Sequence, residues 1–209
     1  MGTEAAGRVD GRTARAERTR RAIVEAHLAL LTEGDVRPTG ERIAERAGIS
    51  LRTLWINFKD METLFEASGA LVLERQDAAY RPVPADLPLR QRVDAYCRQR
   101  AELMQMFAPI FRAAAMREPI SPQLHRNRVM HIERVRQEVE ELFAAELELA
   151  GPAAPELVDA LVAASMWPAW SMLRDGLELD ADGARRVMTR TVSALLVTAI
   201  AASVGPPPS

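Results

Sequence analysis

The chain has 209 residues, 48% of them hydrophobic and 27% charged, with a formal net charge of −2. That length suits one helical domain plus a small head, and the apolar content is ample for a packed core. The near-neutral balance excludes polyanion binding by bulk composition, although the charge is uneven: slightly positive through Asp60 and negative beyond it.

In chain order, the first predicted element is an amphipathic helix from Arg21 to Gly34. Ile23, His27, Leu30 and Leu31 fall on or near one face, and Gly34 stops it. Thr39 then offers an N-cap for a short helix, and Glu41 suits the positive end of its dipole. Ile43, Ala44 and Ala47 repeat at helical spacing and are expected to face inward. Gly48 permits a left-handed backbone and a sharp stop, with Ile49 expected to be buried at the corner. Ser50 caps the next helix. Leu54 and Phe58, four apart, share the face that docks on the core, which leaves Leu51, Arg52, Thr53, Trp55, Ile56 and Asn57 outward or sideways. Asp60 caps a further helix with an apolar stripe of Met61, Leu64 and Phe65. The pattern reads as a helix-turn-helix, the unit that sets a short helix in the major groove of DNA.

Thr39, Ile43, Ala44, Ala47, Gly48, Ser50, Thr53, Leu54, Phe58 and Lys59, with Leu64 beyond, stand in one register. On these residues the first third of the chain resembles the DNA-binding domain of the TetR family of bacterial transcriptional regulators. Trp55 stands where the family usually has tyrosine, Asn57 where it has tyrosine or histidine, and Gly40 where it often has a larger residue. The resemblance implies a helix-turn-helix DNA-binding domain over residues 1–65 and a helical ligand-binding and dimerisation domain over residues 66–209. It implies base contacts from Leu51, Arg52 and Thr53 at the start of the recognition helix, and phosphate contacts from Thr39, Trp55, Asn57 and Lys59. In the family an arginine-rich arm such as Arg8, Arg12, Arg15, Arg18, Arg20 and Arg21 can reach the minor groove or phosphates; a solvated helix start is the plainer reading.

Beyond the helix near Asp60 to Tyr80, the prolines of Arg81 to Pro88 mark a connecting loop. Leu89 to Met116 is helix-periodic with a possible break near Pro109. Pro119 and Pro122 mark a junction, and Gln123 to Ala150 reads as one long helix. Gly151 to Pro155 is a break, and Glu156 to Arg174 a helix kinked at Pro168. Gly176 to Gly183 is a loop, Ala184 to Val204 the final helix, and GPPPS a frayed tail. The predicted fold is therefore all-α: a three-helix head and a larger helical domain.

The last two long helices carry broad apolar surfaces, through Leu157, Leu161, Ala164, Ser165 and Met172 in one and Val187, Val192, Leu195, Leu196 and Ala199 in the other. They are expected to serve partly as core and partly as a homodimer interface, as in the family. The central region is rich in Met and aromatic residues. Met104, Phe107, Phe111, Met130, Met166, Trp167 and Trp170 are the candidates for lining a pocket for a small, largely apolar effector, with plain core as the competing reading. His125 and His131 form no metal pattern, no cofactor motif occurs, and no catalytic constellation argues for an enzyme. With one cysteine, Cys97, no intramolecular disulfide is possible. The longest apolar run, Val192 to Val204, is too short to span a bilayer comfortably, and no apolar signal region follows the N-terminus. A cytoplasmic location without membrane insertion is the expectation. The sequence thus leads to a dimeric, ligand-responsive regulator, by family default a repressor on a palindromic DNA operator. The alternative is a helical interaction protein that has lost operator binding.

Overall fold

The computed structural model describes the backbone of residues 3–203 and the side chains of residues 13–201, so the side chains of Arg8 and Arg12 and the GPPPS tail lie outside the described residues. Among the described residues every regular element is helical. The order is α1 (Thr3–Thr32), α2 (Gly40–Arg46), α3 (Leu51–Asn57), α4 (Met61–Ala79), α5 (Leu89–Met106), α6 (Ala108–Arg117), α7 (Pro122–Leu142), α8 (Ala144–Ala150), α9 (Ala154–Ala164), α10 (Trp167–Ser171) and α11 (Ala181–Ser203). Short 3-10 turns occupy Glu118–Ile120 and Gly151–Ala153, and a π turn occupies Met172–Gly176.

Several boundaries differ from the sequence expectation, each for a physical reason. The first helix starts far upstream of Arg21, at Thr3, although its end at Gly34 (φ +96°) is as expected. The break expected near Pro109 falls at Phe107, with Pro109 in the first turn of α6, while the helix expected from Gln123 to Ala150 is divided at Phe143 without a proline. Both aromatic side chains are buried, and their backbones leave helical geometry to place them there. Pro168 does not kink a continuous helix. The chain leaves helical geometry at Ser165, and Pro168 sits in the first turn of α10, where its missing N–H costs no hydrogen bond.

The helices form two compact units: Met1–Ala78 with Phe107–Asn127, and Ala79–Met106 with Arg128–Ser209. In the first, α1 packs on α2, α3 and α6. Ile23, Leu28, Ile43, Leu54, Phe58 and Leu64 make its core. His27 is buried with them, its Nδ1 2.8 Å from the Ser68 hydroxyl. Burial, then the Arg117 guanidinium, hold its pKa down at about 4, with Asp35 opposing, so the ring is neutral at pH 7. In the second unit α11 packs on α5, α8 and α9 around Tyr96, Phe143, Leu161, Met188, Val192 and Leu196. Cys97 is fully buried there, and desolvation pushes its thiol up to about 12, which removes thiolate reactivity.

Of the residues expected to divide between core and dimer interface on the last helices, Leu157, Leu161, Ser165, Val192 and Leu196 are buried within the unit, while Met172 and Val187 are exposed. No helix of the described residues is long and apolar enough to cross a membrane.

One ion pair in the second unit is fully enclosed. Arg92 donates to both carboxylate oxygens of Glu146 (2.9 and 2.6 Å) and to the carbonyls of Leu87 (3.0 Å) and Leu142 (2.7 Å), and it stacks on Phe143. Four of the five N–H donors of that guanidinium are met and its charge is paired, which offsets much of the cost of burying a cation. Replacing Glu146 by alanine strands the charge and is expected to cost about 3–5 kcal/mol, measured by urea unfolding. A loss below about 1 kcal/mol, the range of an exposed pair, would contradict this reading.

Candidate nucleic-acid interface

The exposed surface of α3 is built by a sequence of local constraints. α2 opens on Thr39, whose Oγ1 accepts from the Arg42 N–H at 3.4 Å. It closes through two reciprocal backbone bonds, Gly48 N–H to the Glu45 carbonyl and Ile49 N–H to the Ala44 carbonyl, both 3.0 Å, with Gly48 at φ +66°. This is a Schellman ending, in which glycine avoids the strain that a side chain would bring. Ser50 then caps α3, its Oγ accepting from the Thr53 N–H at 3.1 Å and meeting the Thr53 hydroxyl at 2.8 Å. Ile43, Ala44, Leu54 and Phe58 are buried as expected, but Ala47 and Ile49 are only half-buried, because the glycine corner lies at the edge of this small core.

The far end of α3 is tied to α1. The Arg20 guanidinium donates to the Asn57 carbonyl at 2.6 Å and lies 4.1 Å from the centre of the Phe58 ring. Arg20 thus closes an otherwise open helix carbonyl and covers a core aromatic. Arg21 lies beside Glu25 and Glu74. Two of the arginines expected in a free basic arm are therefore engaged by the fold, while Arg15 and Arg18 are exposed. Three residues separate α3 from α4, which opens through a reciprocal cap: the Thr63 N–H donates to Asp60 Oδ1 (2.8 Å) and the Asp60 N–H to Thr63 Oγ1 (3.2 Å). The start of α7 grips α4 as well. Glu62 Oε2 accepts from the Ser121 hydroxyl and the Gln123 N–H, both 2.9 Å, and Asn127 Nδ2 donates to the Phe65 carbonyl at 3.1 Å.

With Leu54 and Phe58 committed inward, Arg52, Trp55 and Ile56 on α3 and Lys59 just beyond it are exposed. Their spacing puts them on the opposite side of the helix. Thr39 is exposed, and Leu51, Thr53 and Asn57 are half-buried. The Asn57 amide donates to the Thr53 carbonyl at 2.8 Å, so part of its donor capacity is used within the helix. Ile56 was not among the residues expected to touch DNA, yet it is 72% exposed, the most open large apolar side chain on α3. The signal was present in its spacing, four residues after Arg52 and out of step with Leu54 and Phe58.

Gly40 and Trp55 form a pair that neither residue suggests alone. A Cβ on Gly40 would stand 2.7 Å from Trp55 Cζ2 and 3.2 Å from Leu51 Cδ1. The indole lies against the bare backbone at the start of α2 and is 39% exposed on its other side. The small residue at 40 makes room for the large one at 55, so α2 and α3 are keyed together.

Of the seven residues expected to line an effector pocket, Met104, Phe107, Met166 and Trp170 are buried, Phe111 and Trp167 are half-buried, and Met130 is 49% exposed. A surface cleft in the first unit, lined by Glu118, Ile120, Ser121, His125 and Arg126 among others, contains none of them. Among the described residues no group of three or more His, Cys, Asp or Glu side chains could hold a metal ion.

The structure is that of an all-helical protein with an N-terminal helix-turn-helix whose second helix presents an open cationic and apolar face. No family model and no curated protein matches the chain. Its fold is similar to that of the crystal structure of a transcriptional regulator from Rhodococcus sp. Rha1, with a TM-score of 0.66 and 17% sequence identity, covering 88% of this chain and 97% of that one.

The Gly40–Trp55 contact gives a double-mutant test. Gly40→Ala is expected to destabilise by about 1–3 kcal/mol through overpacking. In a Trp55→Ala background the same change should be neutral or gain about 0.4–1 kcal/mol, the ordinary advantage of alanine over glycine. Equal costs in the two backgrounds, measured by urea unfolding, would remove the packing argument.

Proposed function

We propose that the chain is a DNA-binding transcriptional regulator of the TetR kind, with α3 as its recognition helix. One observation carries this: α3 is fixed at both ends and along its inner face, by Ser50, Arg20, Leu54 and Phe58, while Arg52, Ile56 and Lys59 are left open. A short helix held in this way at the surface is what groove reading needs, since side chains must reach base edges from a rigid mount. Arg52, with Leu51 and Thr53 beside it, meets bases, and its planar fork suits the paired acceptors of guanine. Lys59, Thr39, Trp55 and Asn57 meet phosphates, which set register and carry no sequence information. The likeness in fold to a transcriptional regulator supports the class.

The protein acts as a homodimer and, as the resemblance implies, as a cytoplasmic repressor without catalytic activity. Exposed Met172, Val187 and Val197, on the π turn and α11, support a second copy as the cover of that surface. A twofold dimer presents two α3 helices to half-sites about 34 Å apart on a palindromic operator. Residues 1–65 serve DNA and residues 66–209 serve dimerisation and a small-molecule effector. Effector binding shifts α4, which leads directly out of α3, and so lowers operator affinity by reciprocal coupling.

Fluorescence anisotropy with the duplex upstream of the protein's own gene, against a scrambled duplex over a salt series, tests this reading. Tight and sequence-selective binding is expected. Arg52→Ala should relax preference at one base pair, worth about 1–3 kcal/mol, whereas Lys59→Ala should weaken binding to every sequence and reduce the salt slope by about 1. An unaltered base preference in the first variant, or an unaltered slope in the second, would contradict the assigned roles.

A further inference from the structure

Two arginines on α5 are buried, eight residues and a little over two helical turns apart, and the fold treats them differently. Arg92 has the Glu146 carboxylate. Arg100, 3% exposed, has only the Ser165 carbonyl, from Nε at 3.3 Å and Nη2 at 3.1 Å, and the Met166 sulfur at 3.9 Å. Among the described residues no carboxylate makes a direct ion pair with it; Glu138 feels its charge without such a contact. A buried guanidinium carries five N–H donors and a full charge, and one carbonyl satisfies neither.

The side chains around it repeat the pattern. Gln99, also buried, has its orientation fixed by the Arg81 N–H, which donates to Oε1 at 2.6 Å; its Nε2 is near the Glu138 carboxyl but makes no hydrogen bond of normal geometry. Glu138 leaves Oε1 without one. His131, on the same helix as Glu138, is held neutral, its pKa lowered to about 3 by burial and then by the positive charges of Arg100 and Arg134. Burial raises the Glu138 pKa against the pull of Arg100, Arg134 and Gln99. Arg100 is thus enclosed with one carbonyl and one sulfur as its direct partners, and the neighbouring imidazole of His131 carries no charge to offset. Tyr96 does not relieve it, because its hydroxyl is turned to Ser165 Oγ at 2.7 Å.

We propose that Arg100 anchors the carboxylate of a small organic acid bound inside the second unit, with Gln99 Nε2 as a further donor and Met104, Met166 and Trp170 against its apolar body. The exogenous carboxylate takes the place at Arg100 that Glu146 fills at Arg92. The proposal rests on the reading of residues 66–209 as the effector domain. It narrows the expected ligand from an apolar molecule to an apolar acid.

The test compares octanoate with octanamide, and benzoate with benzamide, against the full-length protein, by tryptophan fluorescence and by thermal unfolding. The acids should bind saturably and at least tenfold more tightly than the amides. Arg100→Met should abolish that preference. Gln99→Leu should weaken acid binding and leave amide binding unchanged, which keeps the test open if the arginine variant fails to fold. Equal binding of acid and amide, or no saturable binding of either acid, would overturn the proposal. Operator affinity, read separately by anisotropy, distinguishes the two failures. Intact DNA binding without acid binding removes the anchor alone; acid binding without DNA binding keeps the anchor and removes the regulator.

Discussion

Gly48 sits at φ +66°, where a side chain would be strained, and both bonds that close α2 depend on that conformation. Two residues later Ser50 reopens the chain as α3. The whole disposition of α3 follows from this corner. The distance from Ser50 to Leu54 and Phe58 decides which side of the helix is buried, and the remaining side is left for Arg52, Ile56 and Lys59. Everything else in the first unit reinforces the mount. Arg20 closes the last turn, Trp55 keys into Gly40, and the Asp60–Thr63 cap passes the chain directly into α4.

The second unit is governed by a different constraint, the cost of enclosing charge. It holds two buried arginines on one helix, and only Arg92 has a carboxylate within hydrogen-bond distance. Where the pair is complete, the result is structural. Where it is incomplete, the same physics favours a ligand that brings the missing anion. Burial, reinforced by the charges of Arg100 and Arg134, holds His131 neutral, whereas burial raises the Glu138 pKa against those same charges.

Much of this was legible in the sequence, and the reason is locality. Gly48, Ser50, Leu54, Phe58 and Asp60 each act within four residues of their partners, so spacing alone placed the caps, the corner and the buried face. The all-helical fold was legible for the same reason. What escaped depends on partners far away in the chain. Gly40 and Trp55 looked like two separate departures from a pattern, because fifteen residues separate a missing Cβ from the ring that needs its space. Arg20 looked like one member of a basic run until its contact with Asn57, 37 residues on, was visible. The helix division at Phe107 is marked by Pro109 two residues on, but the one at Phe143 carries no breaker residue, and its ring is buried. Arg92 and Arg100 are indistinguishable in sequence, since only the fold tells which one meets Glu146.

The account stands or falls on whether α3 reads DNA. The most direct measurement is selection of binding sites from a random duplex pool by the purified full-length protein, followed by sequencing of the bound fraction. The account predicts enrichment of one inverted repeat whose half-site centres lie about one helical turn apart, and its loss when that spacing is changed by half a turn. A bound fraction with the base composition of the starting pool would contradict it, and would leave the exposed face of α3 as a surface for a partner other than DNA.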